Sequence, residues 1–492
     1  MRLTFPRFLV LFLSAFLIKC LWIYFISINY GGYPLIGNSL AQRGVDSYTY
    51  IDPIDNLIEN GTYGMKWYKG YAFLEKAPAS IVPTFEYAIR TPHYGMFYWF
   101  FRLFLEKKSA LDALAIFQLL IEIISIFLLA QIAFGLTKST KIFYIVFATY
   151  TLTSWCTFFT FHIMTESLVC SFLIFSLYFF YRYDTSTNRR FLFLSALFIS
   201  LCISMKPFVF PVLFIYLRIL FTGWKDLKST IRRKGSEMLI FILTFALILS
   251  PWVLRNYSVY NRVFLFTNTT FYPSYSTFSA MQNLVRVWGG SNPTGDGTCK
   301  YVIVGYFNPK AEENLNCNFE LPDYVFTRDY SRADIAQLRD DFLAFRSSPN
   351  DSLDQVLSNR FHAVSDSFRK NKPIWYYLFV PVIITKTALI HSGSYYIIKH
   401  SSAAIVIKIF QSAIYWASNI LALAGIWIML QRHRRYGIFF LGTFASFIII
   451  LCVFFRIPEW RYFILFHPLS ILLAGYALHF IIPSAGNQPS KQ

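Results

Sequence analysis

Apolar runs of about 20 residues recur along this chain, and they constrain its fold more than any other feature. A run of that length crosses a hydrocarbon core about 30 Å thick as a single helix. The 492 residues are 55% hydrophobic and only 14% charged, whereas roughly a quarter of a soluble domain is charged. The sequence therefore predicts an all-α polytopic membrane protein.

Loops between these runs decide the topology. Four short loops, at 137–141, 182–190, 225–237 and 431–435, are basic, and the positive-inside rule makes all four cytoplasmic. They carry about half of the net charge of +19, and this placement between apolar runs does not indicate nucleic acid binding. The first run has no evident signal-peptide cleavage site, so we expect a retained helix. Both ends then lie in the cytoplasm, and the ten predicted spans are 8–28, 112–136, 141–159, 163–181, 191–204, 206–221, 238–254, 404–430, 437–456 and 461–482.

This topology divides the chain into parts. We expect an N-terminal transmembrane module at 1–257, which includes an outer loop at 30–111. Residues 258–372 are polar and long enough for a small extracytoplasmic α or α+β domain. Residues 373–483 hold an interfacial segment and the C-terminal spans, and the tail 484–492 is expected to be disordered.

Finer expectations concern the outer parts. Residues 333–346 and 352–370 have helical apolar spacing, while VFLFTN and KYVIVGYF are candidates for short strands. Residues 373–400 are predicted to be interfacial or re-entrant, because a full crossing would put the basic loop 431–435 outside. Cys299 and Cys317, in the polar loop, are left open between free thiols and a disulfide.

The outer loop begins with an amphipathic stretch, GVDSYTYIDPIDNLIENGTYG, at 44–64. Asp52-Pro53 predicts an N-cap followed by proline at the first helical position, and Asn60-Gly61 predicts the end of that helix. Asp46 is then left without a role in the helix. It either caps a separate turn over 47–50 or is a carboxylate held above the membrane for proton transfer.

Three cations lie at outer helix ends, where the positive-inside rule disfavours them: Lys206, Arg255 and Arg461. Each either snorkels separately to headgroups or binds a shared anion that offsets a cost of about 2–3 kcal/mol per charge near membrane depth. Lysine together with arginine suits a phosphate, and a polyprenyl phosphate is a phosphate found at this depth. Lys206 also lies at the break between two short predicted helices, and such breaks often mark binding sites in membranes.

Six motifs occur in order along the predicted outer face. They are D-S-x-x-Y-x-x-x-x-x-x-L-x-x-x-G-x-Y from Asp46 to Tyr63, R-T-P-x-Y from Arg90 to Tyr94, T-E-S-L around Glu166, K-P at Lys206, P-W-x-x-R-N-Y around Arg255 and Asn256, and E-x-R-Y from Glu459 to Tyr462. The set resembles the bacterial GT-C glycosyltransferases, which are related to the protein O-mannosyltransferases and the lipid A aminoarabinose transferase. In the eukaryotic relatives an Asp-Glu pair stands where this chain has Asp46-Ser47.

The resemblance implies a GT-C fold of about ten spans with interfacial helices in the first outer loop. It implies inverting transfer of a sugar from a polyprenyl-phosphate donor to a lipid, glycan or protein acceptor, without a metal or other cofactor. The module 1–257 is then catalytic, in a bacterial inner membrane, with its site facing the periplasm or exterior. Asp46 is implied as general base and Glu166 as a second catalytic residue that orients the sugar or a cation. The implied substrate-binding residues are Tyr50, Arg90, Tyr94, Lys206, Arg255, Asn256, Glu459, Arg461 and Tyr462.

Two other classes remain open. A transporter or lipid flippase often shows inverted repeats and charges near the bilayer midplane, and neither is evident in the sequence. A structural subunit of an envelope complex does not require a carboxylate and several cations on one membrane face.

Overall fold

The computed structural model describes residues 4–29, 39–42, 46–67, 84–88, 90–220, 227–266, 275–290, 303–307, 321–390, 392, 402–456 and 460–482. Cys299, Cys317, Glu459 and the tail 484–492 lie outside these residues. The disulfide, the disordered tail and the role of Glu459 therefore stay predictions.

Helices dominate the N-terminal half, with one short antiparallel hairpin in the outer loop. The hairpin pairs β1, Met65–Trp67, with β2, Thr84–Tyr87. A 3-10 turn at Pro207–Val209 joins the helix Arg189–Met205 to the helix Phe210–Leu220. The helices are α1 Phe5–Asn29, α2 Tyr48–Asn60, α3 His93–Arg102, α4 Lys107–Thr137, α5 Thr140–Leu152, α6 Trp155–Phe158, α7 Glu166–Ser186, α8 Arg189–Met205, α9 Phe210–Leu220 and α10 Leu227–Tyr260.

The C-terminal half is also helical in its described part. It contains α11 Ser276–Val287, α12 Ile303–Tyr306, α13 Arg332–Ser347, α14 Asp351–Asn371, α15 Val380–Ile390, α16 Ser402–Arg432, α17 Arg434–Ile448, α18 Trp460–Phe463 and α19 His467–Ile481. Two π-helical segments, Trp375–Phe379 and Ile449–Phe454, precede α15 and follow α17.

Six helical segments of the described residues are long and apolar enough to cross a membrane. These segments are Phe5–Ser27, Lys107–Thr137, Lys234–Tyr260, Ile405–Arg432, Arg434–Phe454 and Arg461–Ile481. Each coincides with a predicted span, and α5, α7, α8 and α9 occupy the other four. The prediction of an all-α polytopic membrane protein is confirmed, and α2 and α3 form within the segment predicted to be the first outer loop.

The predicted span 141–159 is interrupted in the structure. α5 ends at Leu152, and α6 starts only at Trp155. At this break the Lys19 ammonium of α1 donates to the carbonyls of Tyr150 (3.1 Å) and Thr153 (2.8 Å). A cation is favourable at the carbonyl end of a helix, so Lys19 stabilises the end of α5 inside the bundle.

Another correction concerns the start of α2. The predicted N-cap at Asp52 is wrong, because the helix begins at Tyr48 and contains Pro53. Backbone bonds from Thr49 to the carbonyl of Asp46 and from Ile51 to that of Ser47 already close its first turn. Pro53 is the sixth of the 13 residues of α2, so it lies inside the helix and removes one of its backbone hydrogen bonds. The predicted stop is confirmed by Gly61, which adopts a left-handed φ of 73°.

The outer part, 275–371, has a hydrophobic core of its own in its described residues. α11 packs against α14, and Phe278, Phe342 and Phe361 are buried between the helices of this part. α13 and α14 form where the apolar spacing predicts them, and α13 begins with a capping box of Ser331 and Asp334. The strand predicted for KYVIVGYF is wrong where the structure describes it, because 303–306 form a helical turn. The described part of VFLFTN, 263–266, is not a strand either.

Arg456 connects this outer part to the C-terminal spans. Its guanidinium donates to the carbonyls of Val287 (3.1 Å) and Tyr376 (2.7 Å) and lies 3.7 Å from the centre of the Tyr376 ring. Val287 is the last residue of α11, whose carbonyl end favours a cation. Arg456 itself has a left-handed φ of 52°, which is strained for a residue with a Cβ. The described part of 373–400 is helical and packs beside this contact, and its interfacial position stays a prediction.

Candidate active site

Asp46 lies immediately before α2 and binds two arginines that are distant in sequence. Its Oδ2 accepts from Arg461 Nη1 at 3.0 Å, across 415 residues of chain. Arg90 Nη2 lies 3.5 Å from the same oxygen. The Asp46 side chain is 19% exposed, so the ion pairs are neither fully buried nor freely solvated. Asp46 therefore does not cap a turn over 47–50 with its carboxylate, and those residues belong to the first turn of α2.

Two tyrosine rings, in contact with each other, pack next to Arg90. The Arg90 guanidinium lies 5.8 Å from the Tyr50 ring, and the Tyr50 and Tyr94 rings are 4.8 Å apart. Tyr94 is buried, and its hydroxyl donates to Gln118 of α4 at 3.3 Å. α3 approaches α2 closely here, because an added Cβ at Gly95 would lie 3.0 Å from the backbone oxygen of Tyr50. The absence of a side chain at Gly95 thus allows α2 and α3 to approach closely enough for the two tyrosine rings to make contact.

Lys206 and Glu166 form the second ion pair of this region. Lys206 Nζ lies 2.9 Å from Glu166 Oε1, and both side chains are almost fully buried. Lys206 follows α8 at the predicted break, and Glu166 begins α7. The Tyr462 ring lies 5.0 Å from Lys206 Nζ and 5.0 Å from the Arg461 guanidinium. Tyr462 thus lies between the two cations.

Electrostatics keep the Asp46 carboxyl ionised. Burial alone would raise its pKa, but the charges of Arg90, Arg461 and Lys206 together hold the pKa below its usual value. The cluster of these four residues with Glu166, called here the outer charge cluster, has three cations and two carboxylates. One positive charge is left over, which an anionic ligand would neutralise.

Arg255 and Asn256 lie beside this cluster rather than in it. Arg255 donates to the backbone oxygen of Tyr63 at 2.8 Å and to Asn256 Oδ1 at 3.0 Å. The Tyr63 hydroxyl in turn donates to the Arg90 carbonyl at 3.3 Å. The expectation that Arg255 shares one anion directly with Lys206 and Arg461 is therefore weakened, because its described contacts lead to them through Tyr63 and Arg90.

Sequence reasoning missed a buried charge pair and a buried amide below the cluster. Lys19 Nζ lies 3.0 Å from Glu122 Oε1, and both side chains are completely buried. Gln118 accepts from Tyr94 and donates to the Thr160 carbonyl at 2.9 Å. The available signal was a polar residue inside an apolar run, which marks a side that faces the bundle rather than lipid.

Within the described ranges, no three or more His, Cys, Asp or Glu side chains lie close enough together to hold a metal ion.

Two solved structures are similar to the chain. One is an oligosaccharyltransferase from Archaeoglobus fulgidus tethered with an acceptor peptide containing the NVT sequon, at a TM-score of 0.48 and 13% identity over 96% of this chain and 49% of that chain. The other is the oligosaccharyltransferase AglB from the same organism in complex with an inhibitory peptide and a dolichol-phosphate. Its TM-score is 0.46 and its identity 12%, and the match covers 96% of this chain and 50% of that chain.

This chain spans about half the length of each of those proteins. No protein-family model matches it, and no curated protein sequence matches it significantly.

Proposed function

We propose that this chain is a membrane-embedded glycosyltransferase that moves a sugar from a polyprenyl-phosphate donor to an acceptor on a lipid, glycan or protein. The observation that carries the proposal is the outer charge cluster, in which the carboxylates of Asp46 and Glu166 lie among three cations. Its members come from segments between residues 46 and 461, and the charged groups lie at helix ends rather than in the middle of spans.

Asp46 is the proposed general base. Both arginines contact its Oδ2, and within the described residues no group donates to Oδ1. An acceptor hydroxyl within about 3 Å of Oδ1 would be in reach for proton transfer. The low pKa makes Asp46 a ready but weak base, because it is ionised at neutral pH. Such a base suits a reaction in which bond breaking to the phosphate runs ahead of proton removal.

The cations are proposed to bind the donor phosphate. Negative charge on that phosphate grows as the sugar leaves, so fixed cations stabilise the transition state more than the ground state. Lys206 is fixed by Glu166, and Arg461 is fixed by Asp46 and by the Tyr462 hydroxyl at 3.1 Å. Glu166 accordingly orients a cation in this proposal, and no step requires a metal or other cofactor.

Unused hydrogen-bond donors support a ligand near the same cations. Arg90 Nε and Asn256 Nδ2 are buried and have no acceptor in the part of the chain that the structure describes. A buried donor without an acceptor costs about 1–3 kcal/mol. Phosphate or sugar oxygens would satisfy both groups, so we assign Arg90 and Asn256, with Tyr50, Tyr94 and Arg255 around them, to donor binding.

The positive-inside rule gives the proposed orientation. The basic loops at the other ends of α4, α7 and α16 face the cytoplasm, so the outer charge cluster faces the exterior. We propose a bacterial inner membrane, with transfer on the periplasmic side and inversion at the sugar carbon.

A deletion strain complemented with variants tests the activity. Asp46→Asn should abolish the product, measured by mass spectrometry of envelope lipids and glycans, while purified Asp46→Asn still binds undecaprenyl phosphate. Glu59→Gln is the matched control, because Glu59 is an exposed carboxylate near the end of α2. Wild-type product from Asp46→Asn would contradict the role of Asp46, and an unchanged envelope in the deletion strain would contradict glycosyl transfer itself.

A further inference from the structure

A groove lies at the end of the bundle opposite to the outer charge cluster. Its lining comes from the first turn of α1, the last turns of α4 and the last turns of α7. Glu166, in the outer charge cluster, begins α7, whereas Arg182 lines the groove near the other end. Sixteen residues of helix separate the two by about 24 Å, so the groove does not belong to the proposed donor site.

The groove has the size and lining of a lipid site. Its volume is about 800 Å³, within the range of roughly 300–1,000 Å³ that is usual for ligand pockets. Phe5, Phe8 and Phe127 form an apolar wall, with the Phe8 and Phe127 rings 4.9 Å apart. Lys138 and Arg182 lie at the polar rim, where the helices end.

A glycine gives the groove its floor. An added Cβ at Gly135 would collide with the Tyr181 ring and hydroxyl. The missing side chain lets Tyr181 of α7 lie across α4. The two helices therefore approach closely where Gly135 and Tyr181 line the groove.

The charge at the rim is not neutralised within the described part of the chain. Arg182 is oriented by the Tyr178 hydroxyl at 2.9 Å and by the Phe191 ring at 4.9 Å, neither of which is an anion. The nearby Asp184 instead binds Arg435 at 2.9 Å. Lys138 forms no described ion pair either. Two cations thus face an apolar groove at headgroup depth.

We propose that this groove binds an anionic phospholipid of the cytoplasmic leaflet. Its phosphate would lie between Lys138 and Arg182, and one acyl chain would lie along Phe5, Phe8 and Phe127. The basic loops at this end indicate the cytoplasmic side, whose leaflet carries the anionic lipids that attract juxtamembrane cations. The inference is independent of the proposed transferase activity.

Binding of short-chain lipids to the purified full chain tests the proposal. Dihexanoyl phosphatidylglycerol should bind more tightly than dihexanoyl phosphatidylcholine. Lys138→Gln/Arg182→Gln should weaken phosphatidylglycerol binding about thirtyfold, since each basic residue at a membrane surface contributes roughly a fivefold gain. The charge-preserving Lys138→Arg/Arg182→Lys should keep the preference.

Lys141→Gln/Arg190→Gln is the matched control. It removes two exposed basic residues at the same membrane end that do not line the groove, so its affinity should equal that of the wild type. Equal losses in both double variants would overturn the proposal in favour of diffuse attraction. Glycerol phosphate binding as tightly as phosphatidylglycerol would overturn it in favour of a free-phosphate site.

Discussion

The chain contains two buried lysine–glutamate pairs that look alike in isolation and differ in their surroundings. Lys19–Glu122 and Lys206–Glu166 have N–O distances of 3.0 and 2.9 Å, and all four side chains are at most 6% exposed. Burial and ion pairing therefore do not separate a structural role from a functional one. The groups that surround each pair distinguish the two roles.

The Lys19–Glu122 pair is saturated by the protein. Lys19 also donates to two backbone carbonyls and to the Thr157 hydroxyl at 2.9 Å. Glu122 accepts from Thr157 at 2.8 Å and from Thr160 at 2.6 Å. The pair joins α1, α4 and the break between α5 and α6. Its hydrogen bonds therefore stabilise the packing of these helices.

The Lys206–Glu166 pair has fewer described partners. Lys206 donates to Glu166, and the face of the Tyr462 ring lies beside the Lys206 ammonium. The same region holds Asp46 and two arginines, and positive charge is in excess. We infer that a buried pair with all its hydrogen bonds made by the protein stabilises the fold, whereas a pair beside unbalanced charge is a candidate ligand-binding site.

The largest expected effect is on stability, at the saturated pair. Lys19→Met leaves Glu122 as an uncompensated buried anion, which costs about 3–5 kcal/mol. We expect a strong fall in the thermal unfolding temperature of the purified chain in detergent. Lys19→Met/Glu122→Gln should recover most of it, because the amide oxygen still accepts from the threonines. A Lys19→Met variant as stable as the wild type would remove the structural role.

The next largest expected effect is on the affinity for the donor lipid. Lys206→Met/Glu166→Gln removes one cation from the proposed phosphate site, so affinity for undecaprenyl phosphate should fall about 10- to 100-fold, as a charged hydrogen bond of about 1.5–3 kcal/mol predicts. Lys19→Met/Glu122→Gln is the matched control and should bind normally. Equal losses in the two double variants would mean that the pairs do not differ in function.

A smaller effect concerns pH. Arg90 lowers the pKa of Asp46, so Arg90→Gln should raise that pKa. A base works only above its pKa, so the acidic limb of the transfer rate should move to higher pH in the variant. The rate measured against pH in both proteins checks this. The proposed role of Asp46 would be contradicted by an acidic limb that stays in place or moves to lower pH.

Much of the fold follows from local sequence. The six long apolar spans appear at the predicted positions because hydrophobic length alone specifies a membrane helix. Gly61 ends α2 as predicted, since its left-handed conformation is local. The start of α2 was missed because a cap at Asp52 looked complete, whereas backbone bonds already close a turn from Asp46.

Tertiary partners were harder to predict. Asp46, Arg90, Lys206 and Arg461 come together as their shared outer depth suggested, because topology restricts where charges can lie. Lys19 and Glu122 were missed because a charge inside an apolar run indicates the side that faces the bundle but not which other charge it meets there. Arg255 was grouped with the other cations by depth alone, and depth does not specify lateral position within the membrane plane.

The position of a bound phosphate tests the central claim most directly. A cryo-electron microscopy structure of the full chain with undecaprenyl phosphate should show the phosphate oxygens at hydrogen-bond distance, about 2.7–2.9 Å, from Lys206 and Arg461. Asp46 should lie on the side where an acceptor would approach. A phosphate bound far from both cations, with the Asp46–Arg461 and Lys206–Glu166 pairs unchanged, would contradict the account.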